Sequence, residues 1–248
     1  VPRTAALLII LCASLAALSC NRREARPARP HAEAAGAFGK ASLRGKITFH
    51  GVPPPPVSRP TRSSFPDCSR LPAPLGDPTL RITDAGEVGE AFVWVKEGLP
   101  PTDYSVPDAP ITVDQHDCEF TPRVFGIQVD QPLVIVNSDP LLHNVHTPRG
   151  FNLPMPRQGM QATKTFNQPG VMTALVCDVH GWMRAYAGVV PHPFFAVTAL
   201  DGGYTIARLP PGHYTVEAWQ ERLGRQSREV VVANDDQAVS LDFDMTPN

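Results

Sequence analysis

Proline sets the first limit on what this chain can become. Its 28 prolines and 18 glycines cut 248 residues into short runs rich in Val, Thr, Phe and Tyr. Each proline removes a backbone donor and fixes φ, which breaks a helix interior but is tolerated at strand ends and turns. β-Branched and aromatic residues between such breaks favour strands. The expected class is therefore all-β, with short strands packed into sandwiches. "EAFVWVKEG", residues 90 to 98, carries apolar side chains on both faces and reads as a strand buried on both sides. "LRGKITFHG", residues 43 to 51, puts Ile47 and Phe49 on one face before a proline run stops it.

A chain of this length can bury a sizeable core as one large domain or two small ones. The formal net charge of -2, with no Lys or Arg stripe along one face, provides nothing to neutralise a phosphate backbone. Nucleic acid is excluded as a partner.

The opening "VPRTAALLIILCASLAALSC" has one basic residue, an apolar core too short to span a bilayer, and small residues before Cys20. It resembles a bacterial lipoprotein signal, in which that cysteine becomes the lipidated first residue. Ala17 stands where that family usually has Leu, and Asn21 fits an outer-membrane sorting rule. The resemblance implies an extracytoplasmic protein of the periplasm or outer membrane, held to the membrane by its N-terminal lipid. Plain secretion with Cys20 unmodified is the other reading. Residues 21 to 42, rich in Ala, Pro and Arg without hydrophobic period, read as a flexible tether that includes His31.

"LVCDVHGWMRAY", residues 175 to 186, sets Cys177, His180 and Met183 at equal intervals. The preceding "KTFNQPGVMTALVC" reads as a strand with Val171, Thr173, Leu175 and Cys177 on one face. Gly181 and the Val-rich flanks favour a loop after that strand over a helix. Structural zinc would want four thiolate, imidazole or carboxylate ligands, and a thioether suits it poorly. A c-type haem would need Cys-x-x-Cys-His, which is absent. Mononuclear copper wants two imidazoles, a thiolate and a weak axial Met. The bland alternative is a core Cys and Met beside an exposed His.

The second imidazole is sought in "NSDPLLHNVH", which holds His143 and His146. Here residues 111 to 190 resemble the cupredoxins, the plastocyanin, amicyanin and azurin group, and the "HNVH" and Cys-x2-His-x2-Met pair looks most like amicyanin. The resemblance implies a Greek-key β-sandwich with one type 1 copper on His143, Cys177, His180 and Met183. Asn144 matches an Asn that bonds toward the cysteine loop and holds the site together. His146, three residues on along an extended strand, points to the other face. His50, His116, His192 and His213 have no paired motif and read as solvent or packing histidines.

Such a site implies electron transfer rather than catalysis, with unnamed redox partner proteins of the cell envelope and His180, beside Trp182, as the exchange edge. A multicopper oxidase would carry His on both sides of the cysteine, where this chain has Val176 and Asp178. A binuclear copper site would need a second cysteine in the loop. No enzymatic activity is expected. Copper storage or delivery, or binding of a partner or glycan, is the competing class.

Three cysteines follow Cys20, so one is left over in an oxidising compartment. If Cys177 is held by metal, Cys68 and Cys118 form the bridge; otherwise another pairing stands open.

"AVTALDGGYTIARLPPGHYTVEAW", with its Asp201-Gly202 hairpin signal and "LPPG" turn, resembles the carboxypeptidase regulatory-like or transthyretin-like (Ig-like) β-sandwich. That family opens with two further strands, for which "LRGKITFHG" and "EAFVWVKEG" are the candidates. The expected organisation is signal 1–20, tether 21–42, sandwich 43–98 and 194–248, and a cupredoxin unit 99–193 inserted between its halves. Two tandem domains are the alternative. The pairing resembles a group of bacterial envelope proteins that carry a His after "CxFxP", where this chain has Arg123.

Overall fold

The computed structural model describes residues 38–55, 65–71, 78–148 and 150–246. The expected signal, Cys20 and most of the tether lie outside the described residues. The chain forms β1 (Ala41–Phe49), a one-turn helix α1 (Pro66–Ser69), β2 (Arg81–Ile82), β3 (Val88–Gly89) and β4 (Phe92–Glu97). There follow β5 (Ile111–His116), β6 (Glu119–Thr121), β7 (Val124–Gln128), β8 (Leu133–Asn137), β9 (His143–His146), β10 (Asn152–Met155), β11 (Gln161–Lys164), β12 (Gly170–Val176) and β13 (Arg184–Val190). The last strands are β14 (Phe195–Val197), β15 (Gly203–Leu209), β16 (Gly212–Gln220), β17 (Gly224–Val232), β18 (Ala238–Ser240) and β19 (Phe243–Met245). The protein is all-β, and no helix among the described residues is long and apolar enough to cross a membrane.

The strands from β5 to β13 make two facing sheets, ordered β10-β9-β12-β13-β7 and β11-β8-β5-β6. Between them lies a core that includes Val113, Ile135, Val145, Leu175 and Met183. This is the central sandwich. The earlier and later strands pair with one another across it in sequence: β1 lies between β15 and the parallel β18 and β19, and β4 lies between β14 and β16. Their two sheets enclose a second core with Leu43, Ile47, Val93, Val95, Ile206 and Phe243. We refer to it as the flanking sandwich.

The doubly apolar pattern of β4 now has its reason. Val93 and Val95 face the flanking core, while Phe92 and Trp94 face outward onto β7 and β13 of the central sandwich. Glycines on the facing strands permit this approach. A Cβ at Gly188 would lie 2.2 Å from the Phe92 ring, and one at Gly126 would lie 2.2 Å from that of Phe195.

Three local expectations are revised. The turn at Asp201-Gly202 forms, but it joins β14 and β15, which belong to facing sheets, so it is a crossing and not a hairpin within one sheet. In the sequence Val239, Leu241 and Phe243 alternate with Ser240, Asp242 and Asp244, but the run is divided between β18 and β19. The break occurs opposite Gly45, where the Leu241 carbonyl would sit 1.9 Å from any Cβ and Asp242 Oδ1 accepts the Lys46 amide. Finally, Val171 does not share the inward face of Cys177. The register of β12 against β13 shifts between Val171 and Thr173, and Val171 and Met172 pack toward Phe92 and its neighbours instead.

Candidate metal centre

Strands β9 and β12 are antiparallel neighbours, Val176 pairing with His146. That register brings the start of β9 beside the loop leaving β12. His143 opens β9, Cys177 directly follows β12, and the loop returns into β13 after Met183. Two backbone bonds shape the loop: the Cys177 amide donates to the Met183 carbonyl at 3.2 Å, and the Met183 amide to that of His180 at 2.9 Å. The His180 amide points at Cys177 Sγ, 3.4 Å away.

The structure brings together His143, Cys177 and His180, whose donor atoms all lie within 4.8 Å of one another and whose side chains are buried. The two imidazoles meet through Nδ1 atoms 2.9 Å apart, and His180 Nδ1 is 3.8 Å from Cys177 Sγ. Met183 is fully buried in the same core. Among the described residues, Cys118, Asp139 and His143 form a second close group. Its sulfur is already committed to a disulfide with Cys68, so it offers no thiolate.

Electrostatics favour an ionised sulfur. Burial opposes charge on Cys177, but bonds from His143 and His180 and from the amides of Asn144 and His180 outweigh it and bring the thiol down to about 6. Burial likewise works against a charged His143, and the Asp139 carboxylate and the Cys177 sulfur raise its titration nonetheless.

Asp139 was not singled out by the sequence, where it reads only as part of a polar turn. Its Oδ2 lies 2.8 Å from His143 Nε2 and accepts the Cys118 amide at 2.8 Å, while Oδ1 accepts the Asp117 amide at 2.8 Å. Burial disfavours its charge, but these donors hold the carboxyl below the usual range. With Nε2 held by Asp139, His143 Nδ1 is turned toward both His180 Nδ1 and the Cys177 sulfur, and two imidazole nitrogens and a sulfur converging on one buried point are a donor set that fits a metal ion.

Asn144 sits beside the trio and clamps the loop. Its Oδ1 accepts the Asp178 amide at 2.7 Å and its Nδ2 donates to Asp178 Oδ2 at 2.8 Å. His146 lies away from the donors, with its Nδ1 3.2 Å from Asp178 Oδ1. His192 is a buried packing residue, its ring against Tyr104 and Phe194. Arg123 is buried in an ion pair with Glu221 and donates to the Arg184 carbonyl at 2.7 Å, far from any ligand role.

The expected exchange edge is covered. His180 is 6% exposed, and Phe65 packs edge-on against its ring and that of Trp182, with centroids 5.2 and 5.0 Å away. The indole N–H of Trp182 donates to the Cys118 carbonyl at 2.9 Å. No period in the sequence announces Phe65, because its partners lie more than a hundred residues downstream.

No protein-family model matches the chain, and no curated protein matches it in sequence. Among solved structures, a point mutant of amicyanin in its Cu(I) form is 21% identical, with 38% of this chain and 99% of that chain covered and a TM-score of 0.30. A second amicyanin mutant, in its oxidised form, is 23% identical over the same shares, with a TM-score of 0.31. A purple cupredoxin from Nitrosopumilus maritimus is 19% identical, with 32% and 98% covered and a TM-score of 0.29.

Proposed function

We propose that this chain is a cupredoxin-type copper protein that carries single electrons outside the cytoplasm. One observation carries the reading: two imidazole nitrogens and a cysteine sulfur within 4.8 Å of one another, buried, at the end of a β-sandwich. Two imidazoles and one soft sulfur donor match mononuclear copper better than zinc or a hard cation. His143, Cys177 and His180 would hold the ion, with Met183 the weak fourth ligand. Copper bound there supplies a one-electron couple between Cu(I) and Cu(II).

The chain's own residues account for the rest. Asp139 orients His143, Asn144 locks the loop through Asp178, and the sandwich core excludes water. The donors are held by the register of β9 against β12 and by the bonds of Asp139 and Asn144, so little of the protein has to move when charge changes. The sulfur and both imidazoles are buried, which suits an electron carrier over an enzyme that must admit a substrate. Leu142 and Val179, each next to a ligand histidine and exposed, supply an apolar rim on which a redox partner protein of the envelope could dock.

The Cys68–Cys118 bridge supports an oxidising compartment. Lipidation at Cys20 and a bacterial envelope location complete the proposal. We read residues 99–193 as a copper module inserted into a transthyretin-like sandwich of residues 43–98 and 194–248. The pairing of β1 with β15 and of β4 with β16 supports that reading.

The test is an optical and EPR titration of the soluble chain, beginning after Cys20, with Cu(II), beside Cys177→Ala. An intense visible thiolate-to-copper band with a narrow hyperfine splitting, bleached reversibly by reductant and lost in the variant, is the expected outcome. Stoichiometric binding without that band would mean storage or delivery. No binding would overturn the copper reading.

A further inference from the structure

Helix α1 and its flanks, residues 65–71, lie in sequence between β1 and β4 of the flanking sandwich. Their side chains nevertheless pack at the metal end of the central sandwich: Phe65, Cys68 and Leu71 all join its core. The contact is pinned at both ends of a short path. Cys68 is bonded to Cys118 in the β5–β6 turn, and the Cys118 carbonyl receives the Trp182 indole. Phe65, half-buried, then lies across both His180 and Trp182. His180 Nδ1 faces the other donors, so its remaining ring edge is turned away from the trio, and only 6% of the residue reaches solvent.

We propose that residues 65–71 are a disulfide-pinned cap on His180, with Phe65 as the group that closes the imidazole edge to water and to small redox complexes. Electron exchange then belongs to partners that contact the outer face of Phe65. The cap is the flanking sandwich's contribution to the site, since its chain comes from the β1–β4 connection. It sets which oxidants and reductants reach the centre, while leaving the ligand set unchanged. This inference rests on the copper reading above.

The experiment uses the copper-loaded soluble chain and compares wild type with Phe65→Ala. The visible band reports the ligand set, and stopped-flow oxidation of the reduced protein by ferricyanide reports access. Phe65→Ala is expected to keep the band and to be oxidised several-fold faster than wild type. Equal rates with the band intact would overturn the cap and spare the copper reading, whereas no band in wild type would overturn the copper reading itself. A measurement without any variant guards against misfolding: in the reduced wild-type protein the His180 ring N–H is expected to persist in ¹H–¹⁵N spectra and exchange slowly with D₂O. Rapid exchange of that proton would sink the cap even if Phe65→Ala does not fold.

Discussion

Asp139 joins a copper-ligand candidate to the disulfide turn through a single carboxylate. It takes His143 Nε2 on one oxygen and the amides of Asp117 and Cys118 on both. Asp117 and Cys118 have φ of 54 and 56°, which aims their amides inward toward the same acceptor. An Asn in its place would keep an acceptor but lose the charge that fixes the His143 tautomer. Asp139→Asn is expected to weaken Cu(II) binding by roughly 10–100-fold, as loss of a ligand's outer hydrogen-bond partner does elsewhere. Competition titration against a chelator of known affinity measures it. A shift in the reduction potential would accompany the loss, and unchanged affinity would mean that Asp139 serves only the turn.

Strands decide how the two sandwiches meet. β13 carries Ala185, Ala187 and Val189 into the central core, and its other face presents Gly188 to Phe92. Gly188→Ala would force the Phe92 ring or the β13 backbone aside, at an expected cost of about 1–3 kcal/mol in urea unfolding. The connection from β13 to β14 holds a second test. His192 is 7% exposed and buried among rings, and burial depresses its titration from the ordinary 6.5 to about 4. Below pH 6.5 the unfolded chain therefore takes up a proton that the native chain refuses until about pH 4. Stability falls through that window as pH falls, by at most about 3 kcal/mol. Unfolding free energies measured between about pH 7 and pH 4 should show this slope, and His192→Gln should remove it. Asp139, whose own titration is depressed, loses its contribution only below the usual carboxylate range.

At the level of the whole molecule, the disulfide and the aromatic interface bind parts that the chain order separates. Cys68 and Cys118 are 50 residues apart, and closing a loop of that size removes unfolded-state entropy worth roughly 4 kcal/mol. The double variant Cys68→Ala with Cys118→Ala is expected to lose about 2–4 kcal/mol of stability and to loosen the hold of residues 65–71. Denaturant unfolding and limited proteolysis would register both effects. Phe92, Trp94 and Trp219 of the flanking sandwich are buried against Val124 and Val190 of the central one. If that contact couples the two cores, calorimetry shows a single transition, which is the expected outcome. Two separated transitions would mean that the interface contributes little.

Features that depend on neighbours along the chain were legible before any fold was known. Proline and glycine spacing excluded long helices, period-two runs marked β1 and β12, a doubly apolar run marked β4, and the close spacing of Cys177, His180 and Met183 put all three on one loop. The pairing of Cys68 with Cys118 followed once Cys177 was set apart as a ligand. Features that depend on residues brought together from a distance emerged only on folding. The bulge in β12 that turns Val171 outward exists because Phe92 waits on another sandwich. Asp139 looks like an ordinary turn residue until β5, β6 and β9 converge on its carboxylate. Phe65 lies beside a proline-rich stretch with no hydrophobic period, and only the bridge to Cys118 carries it onto His180. Local periodicity reports which face of a strand is buried, but it has no information about the partner that buries it.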